Sequence, residues 1–284
     1  MANGSISMPY PLTSPGIVLV VEDRMTEVYL RKILDGAVSE FVTAGGHGSV
    51  TALVRDLRAQ DDGRNRVFGF CDRDFDSSNV TTLDKVPNGP PFVFRPRRME
   101  IENYLLDELP MFEAAKHLGA SHPKTADEIK SQLLSEAERQ RFWIACRMEM
   151  AVIHEAMLKD FPKTPSIDSI STMQLAVDYI KKSTWGETVT SKLNVTLDGA
   201  SIHNGVTAFS EAYDKSLRDG TWVENCSGKE IYKTVCQAVF DDYRHRQYDF
   251  ARAIAECQLG GDAVPQDLSL LRDILKRQSR IAQS

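Results

Sequence analysis

Two periods of apolar residues alternate over the first hundred positions. Ile17-Val-Leu-Val-Val21 is a β-branched run behind Pro15-Gly16, the pattern of a strand buried on both faces. Met25, Tyr29 and Ile33 then recur four apart with Leu30 and Leu34 beside them, which predicts a helix ending near Asp35-Gly36. Glu40 to Ala44 reads as a second strand, closed by Gly45-Gly46-His47-Gly48, and Val50, Leu53, Val54 and Leu57 carry a second helical stripe. Asp61 to Asn65 is a turn, Val67 to Cys71 a third strand, and Phe92 to Phe94 a fourth behind the Pro87 to Pro91 turn region. Strands spaced by helices in this way predict a parallel sheet with right-handed crossovers.

Beyond Asn103 the strand period gives way to helical stripes. Trp143, Arg147, Met150, His154 and Met157 mark one helix, and Val206, Phe209, Tyr213 and Leu217 another. Ile231, Val235, Ala238, Val239 and Phe240 mark a third, and Leu268, Leu271, Ile274 and Leu275 a last one behind Pro265. No repeat of fixed period is present. The expected organisation is a loose lead-in over residues 1–15, an α/β domain over 16–110 with its sheet flanked by helices, and a mainly α-helical domain over 111–284.

Composition narrows the setting. At 284 residues, 42% hydrophobic and 26% charged, the chain has ample material for a core. Apolar runs such as Ile17 to Val21 fall far short of the ~20 residues that span a bilayer, so no membrane association is expected. Residues 1–16 carry no Lys or Arg and no apolar core segment, so neither a secretory nor a mitochondrial leader is expected there. The five cysteines lack any CxxC spacing, which points to reduced thiols in the cytoplasm and no zinc site. A formal net charge of −6 argues against a protein that coats nucleic acid through bulk positive potential, but an enzyme needs only a local basic rim.

The chemistry concentrates at strand ends, where ligands bind in open parallel sheets. The first strand runs into Glu22-Asp23, and the third into Asp72-Arg73-Asp74-Phe75-Asp76. If the two strands are neighbours, one Glu and two or three Asp converge, and hard oxygen ligands gathered in this way suit Mg²⁺ or Mn²⁺. A single Asp after a strand is an ordinary turn former or helix cap, whereas an alternating pair of Asp is harder to assign to either. Glu100-Ile101-Glu102-Asn103-Tyr104-Leu105-Leu106 supplies a third acidic element. An extended segment would put Glu100 and Glu102 on one side, and a helix start would favour the same acids through its dipole. Arg95, Arg97 and Arg98 precede them, as a basic rim for phosphate or as a solvated edge.

These residues resemble a TOPRIM domain: a buried strand ending in Glu (VLVVEDRMTE), a glycine-rich second loop (TAGGHG) and a strand ending in DxD (VFGFCDRDFD). The ENYLL run narrows the resemblance to OLD-like nucleases and relatives of the DUF4435 type, among them the TOPRIM effector subunit of PARIS phage-defence systems. Ser227-Gly228-Lys229-Glu230 is similar to a Gly-Lys element of those proteins. The resemblance implies a Mg²⁺- or Mn²⁺-dependent endonuclease on DNA or RNA, tRNA included, with Glu22 as acid/base, Lys229 as a further catalytic residue, and Asp72 and Asp74 as metal ligands. Asp76, Glu27, Glu100 and Glu102 join the candidate ligands, and Arg73, Arg97, Arg98 and His47 are candidate substrate contacts. Relatives carry Gly after the first Glu and an acid four residues on, whereas here Asp23 and Thr26 stand there and Glu27 comes one residue late. No GxxxxGK[ST] motif occurs, so the resemblance implies a separate ATPase partner, with a homodimer as the active form. The alternatives are a primase-like nucleotidyl transferase and a catalytically silent adaptor that docks an ATPase. A receiver-type phosphoacceptor domain is set aside, since it calls for a lone acceptor Asp after the third strand and a Lys after the fifth.

Overall fold

A computed structural model describes residues 15–61, 66–73, 92–158 and 199–283. Asp74 and Asp76 therefore lie outside the described residues, as do the side chains of His47, His154 and Met157. Strands β1 (Val18–Val21), β2 (Glu40–Thr43), β3 (Val67–Phe70) and β4 (Val93–Phe94) form one parallel sheet in the order β2-β1-β3-β4. All four residues of β1 and of β3 are buried, as their unbroken apolar runs require of central parallel strands. Helices α1 (Arg24–Ile33) and α2 (His47–Ala59) are the crossovers on either side of β2.

Helix α2 seals one face of the sheet, where Val50, Val54 and Leu57 pack with Val18, Val20, Val67 and Cys71. The approach is closest at Gly69 in β3, where a Cβ would stand 2.9 Å from methyl groups of both Val50 and Val54. Right-handed crossovers put α1 on the opposite face, with Leu30 and Ile33 wholly buried.

A short 3₁₀ helix (Ile101–Leu105) follows β4, and then come α3 (Glu108–His117), α4 (Ala126–Arg139), α5 (Arg141–Leu158), α6 (Gly199–Asp219), α7 (Gly228–Val239), α8 (Tyr243–Gly260) and α9 (Gln266–Gln283). The protein is thus α/β, a parallel sheet flanked by helices and followed by a helical C-terminal region. The chain divides into two compact units, residues 1–136 with 223–284, and residues 137–222. The boundary expected near residue 110 falls inside the first of these.

Within the first unit, α8 lies against α1, α3 and α7. Its Gln258, 1% exposed, accepts from the Tyr29 hydroxyl at 2.7 Å and donates to the Tyr104 carbonyl at 2.8 Å. One amide thereby ties α1, α8 and the 3₁₀ helix together with its polar atoms satisfied, as a fully buried group requires. In the second unit α5 packs along α6, with the Arg141 guanidinium held by Asp214 and by Ser210 Oγ at 2.8 Å.

Candidate active site

Parallel pairing brings two acids to one edge of the sheet. Val21 pairs with Phe70, so Glu22 lies across from Cys71, one residue short of Asp72. The Asp72 amide donates to Glu22 Oε1 at 3.2 Å, and Asp72 Oδ1 accepts from the Ile101 amide at 3.0 Å. A carboxylate two residues past β3 thus fixes the start of the 3₁₀ helix. Asp23 caps α1, accepting from the Thr26 amide and hydroxyl, each at 2.9 Å. The glycine-rich loop is anchored to the same edge, since the Gly45 amide donates to the Glu22 carbonyl at 2.9 Å.

The segment carrying Glu100 and Glu102 is neither a strand nor an ordinary helix start. Glu100 is the N-cap of the 3₁₀ helix, and its amide donates to Asn103 Oδ1 at 3.0 Å. Asn103 is fully buried, and its Nδ2 donates to the carbonyls of Val223 at 2.8 Å and Cys226 at 2.9 Å. This one side chain closes the turn and fastens it to the loop that opens α7. Gly228 completes the joint, because a Cβ there would stand 2.4 Å from both the amide nitrogen and Oδ1 of Asn103. Only the absence of a side chain allows α7 to begin so close. Glu100 Oε2 then accepts from the Lys229 amide at 2.8 Å and from Ser227 Oγ at 3.3 Å. Glu100 and Glu102 consequently do separate things, the first bonded to the α7 N-terminus and the second 5% exposed within the fold.

Charge accumulates at this edge. Burial raises the Asp72 carboxyl well above its usual range, and the negative charges of Glu102, Glu22, Asp23 and Glu100 raise it further. Burial and then the charge of Glu100 push Glu102 up to about 7, with Lys229 acting against that rise. Lys229 is held protonated above its usual value, first by Glu102 and then by Asp23, Glu100 and Asp72. One ammonium therefore faces four carboxyl groups drawn from three separate stretches of chain. Cys71, buried beside Glu22, stays a neutral thiol because burial and that neighbouring carboxylate push it up.

The remaining candidate residues fall elsewhere. Glu27 pairs with Arg31 at 2.8 Å and accepts from Thr43 Oγ1 at 3.2 Å, bonded along α1 and to β2. The Arg73 guanidinium donates to the Glu224 carbonyl at 2.8 Å and to Asn225 Oδ1 at 3.1 Å. Arg98 donates to the Asn103 carbonyl at 2.7 Å and lies over the Tyr104 ring at 4.8 Å. Arg97, mostly exposed, pairs with Glu224 at 3.0 Å. Two of the three arginines are thus turned to the protein's own carbonyls.

Charge and spacing single out Glu22, Asp72 and Glu102 but leave Asn103 unnoticed. The available signal was an amide beside Glu102 in a stretch, Ile101 to Leu106, whose other side chains are hydrophobic, where burial demands partners. Among the described residues, no group of three or more His, Cys, Asp or Glu side chains is arranged to hold a metal ion. No protein-family model matches the chain, and no curated protein matches it.

Proposed function

We propose that this protein is a divalent-cation-dependent phosphodiesterase that cuts DNA or RNA, with a TOPRIM-type site on the sheet edge that carries Glu22, Asp72 and Glu102. The observation that carries the reading is the mutual destabilisation of these carboxylates. Asp72 and Glu102 are both raised by burial and by neighbouring negative charge, and at Glu102 a backbone hydrogen bond and the Lys229 charge act against the rise. Such a cluster is costly by itself and becomes favourable around a hard cation. By their chemistry the hard carboxylate oxygens of Asp72 and Glu102 suit such an ion and would hold it, joined by Asp74 on the strength of the DxD pattern. A bound Mg²⁺ or Mn²⁺ would supply charge stabilisation at the scissile phosphate and its leaving oxygen. Glu22 would hold or move the proton of the attacking water, and Lys229 would sit against phosphate oxygens.

The resemblance of the sequence to OLD-like and DUF4435-type proteins extends the proposal to a defence effector. On that reading it is held in check by a separate ATPase partner and acts as a homodimer once released. Co-expression with such an ATPase should alter toxicity, and Glu22→Gln should abolish the difference.

The competing reading is a catalytically silent adaptor. It draws on one observation, that no three or more ligand-type side chains among the described residues are arranged around an ion. Purified protein incubated with plasmid, tRNA and a single-stranded oligonucleotide, each with Mg²⁺, Mn²⁺ or chelator, decides between them. The nuclease reading expects metal-dependent cleavage, lowered at least a hundredfold by Asp72→Asn and by Glu22→Gln, in line with the roughly 10²–10⁴ of a lost proton-transfer group. Folded protein that cuts none of the substrates with either metal would leave the adaptor standing. Incorporation of added nucleotides would favour a primase-like transferase.

A further inference from the structure

We propose that a strip of cationic and aromatic side chains, running from the start of α7 across α8 to the start of α1, is the path along which a single-stranded nucleic acid reaches the acidic edge. The inference rests on the phosphodiesterase reading and names where that substrate lies. Lys229, Lys233 and Gln237 recur every fourth residue on α7, and all three are exposed. The stripe begins at the acid cluster through Lys229 and leads to the first turn of α8.

There the Arg244 guanidinium donates to the Tyr243 hydroxyl at 3.3 Å. Tyr243 ionises more readily than usual through that bond, through Gln237, and through the charges of Arg244 and Lys233. Tyr248 follows Arg244 by one helical turn, and the Arg24 guanidinium lies over its ring at 5.4 Å. Arg24 immediately follows Asp23, whose charge acts on Asp72, Glu102 and Lys229. The strip thus leaves the cluster at Lys229 and returns to it at Arg24.

The chemistry of these groups selects the ligand. A chain of net charge −6 that keeps exposed cations beside buried acids has local attraction for a polyanion against its overall field. Among the described residues Lys233 pairs with Glu230 at 3.8 Å, an exposed contact too weak to neutralise it. Cations interleaved with half-buried rings suit a strand that offers phosphates and unstacked bases together, since Tyr faces and Arg planes both accept bases. A helical duplex offers phosphates but keeps its bases stacked.

Fluorescence anisotropy with a labelled 20-nucleotide single strand, of DNA and of RNA, tests the path in chelator, where no metal-dependent cleavage can occur. The variants are Arg24→Ala/Lys233→Ala/Arg244→Ala together and Tyr248→Ala alone, each checked for an unchanged melting transition. The triple variant should bind at least tenfold more weakly, with a salt slope shallower by about two, since each phosphate contact on a single strand contributes about 0.7. Tyr248→Ala should weaken single-strand binding severalfold and duplex binding little. Equal affinity of wild type and triple variant, no binding by wild type, or equal loss for duplex in Tyr248→Ala would overturn the proposal. Strip-dependent binding without cleavage on adding Mg²⁺ would refute the nuclease reading alone. Cleavage with strip-independent binding would refute the strip alone.

Discussion

In an unfolded chain the Glu102 carboxyl titrates near 4.5, and in the fold burial and the charge of Glu100 carry it to about 7. The folded state therefore holds this proton longer than the unfolded state. Its contribution to stability is complete below about 4.5 and is lost as pH rises through 7. At pH 8 the ionised carboxylate costs the metal-free protein up to roughly 3 kcal/mol, which corresponds to several degrees of melting temperature. Asp72 is raised in the same direction and adds to the slope. In chelator, the melting temperature of wild type should fall between pH 5 and 7.5. Glu102→Gln should flatten that fall, melting above wild type at pH 8 and level with it at pH 5. Parallel profiles for the two proteins would show that Glu102 is not strained by its surroundings.

Among the elements, the joint between the 3₁₀ helix and α7 has the least tolerance. Asn103→Ala leaves the Val223 and Cys226 carbonyls and the Glu100 amide without the partner they have now, at about 1–3 kcal/mol for each group that water cannot reach. Gly228→Ala forces a methyl against the Asn103 backbone, and that contact cannot relax by turning a side chain. Urea unfolding should show each variant destabilised by about 3 kcal/mol or more. Hydrogen exchange should show the amides of residues 101–105 and 228–231 opening together, and faster in both variants. Independent opening of the two segments would break the proposed coupling.

The same joint explains what could be read from the sequence. Strands β1 and β3 were legible because central parallel strands need only unbroken apolar runs, and their carboxyl ends then follow. That β1 and β3 are neighbours, the condition for bringing Glu22 and Asp72 together, is met. The 3₁₀ helix has no period to read, since its shape is set by Asn103 bonds to carbonyls more than a hundred residues away. Arg73 and Arg98 resembled phosphate contacts by charge alone, and their carbonyl partners depend on tertiary packing that no local pattern encodes. Helix α8 opens with Tyr243-Arg244-His245-Arg246, which hides its apolar stripe until Phe250.

At the scale of the whole molecule, the closing contacts are between distant parts of the chain. Tyr29 bonds Gln258, Arg73 bonds Asn225, and the Tyr104 hydroxyl bonds Asp267. A cation held at the proposed site would stabilise the first unit as a whole. Saturating Mg²⁺ at about a hundred times its dissociation constant should add roughly 2.7 kcal/mol to unfolding. Calorimetry of wild type with and without Mg²⁺ should show that rise, and Asp72→Asn should lose it. An unmoved wild-type transition at high Mg²⁺ would remove the metal from the proposal.

Residues 137–222 interrupt the first unit in sequence, and this sets an order on the ribosome. Glu22, Asp72 and Glu102 leave the exit tunnel early, while Lys229 is translated 129 residues after Glu100. Until then Asn103 has neither the Val223 nor the Cys226 carbonyl, and the acids have no ammonium beside them. Until Lys229 is made, the acidic edge thus stays unassembled. Chains stalled before residue 223 should be cut by protease within 100–106, and chains stalled well past α7 should resist. Under the nuclease reading, synthesis itself would act as the first safety catch.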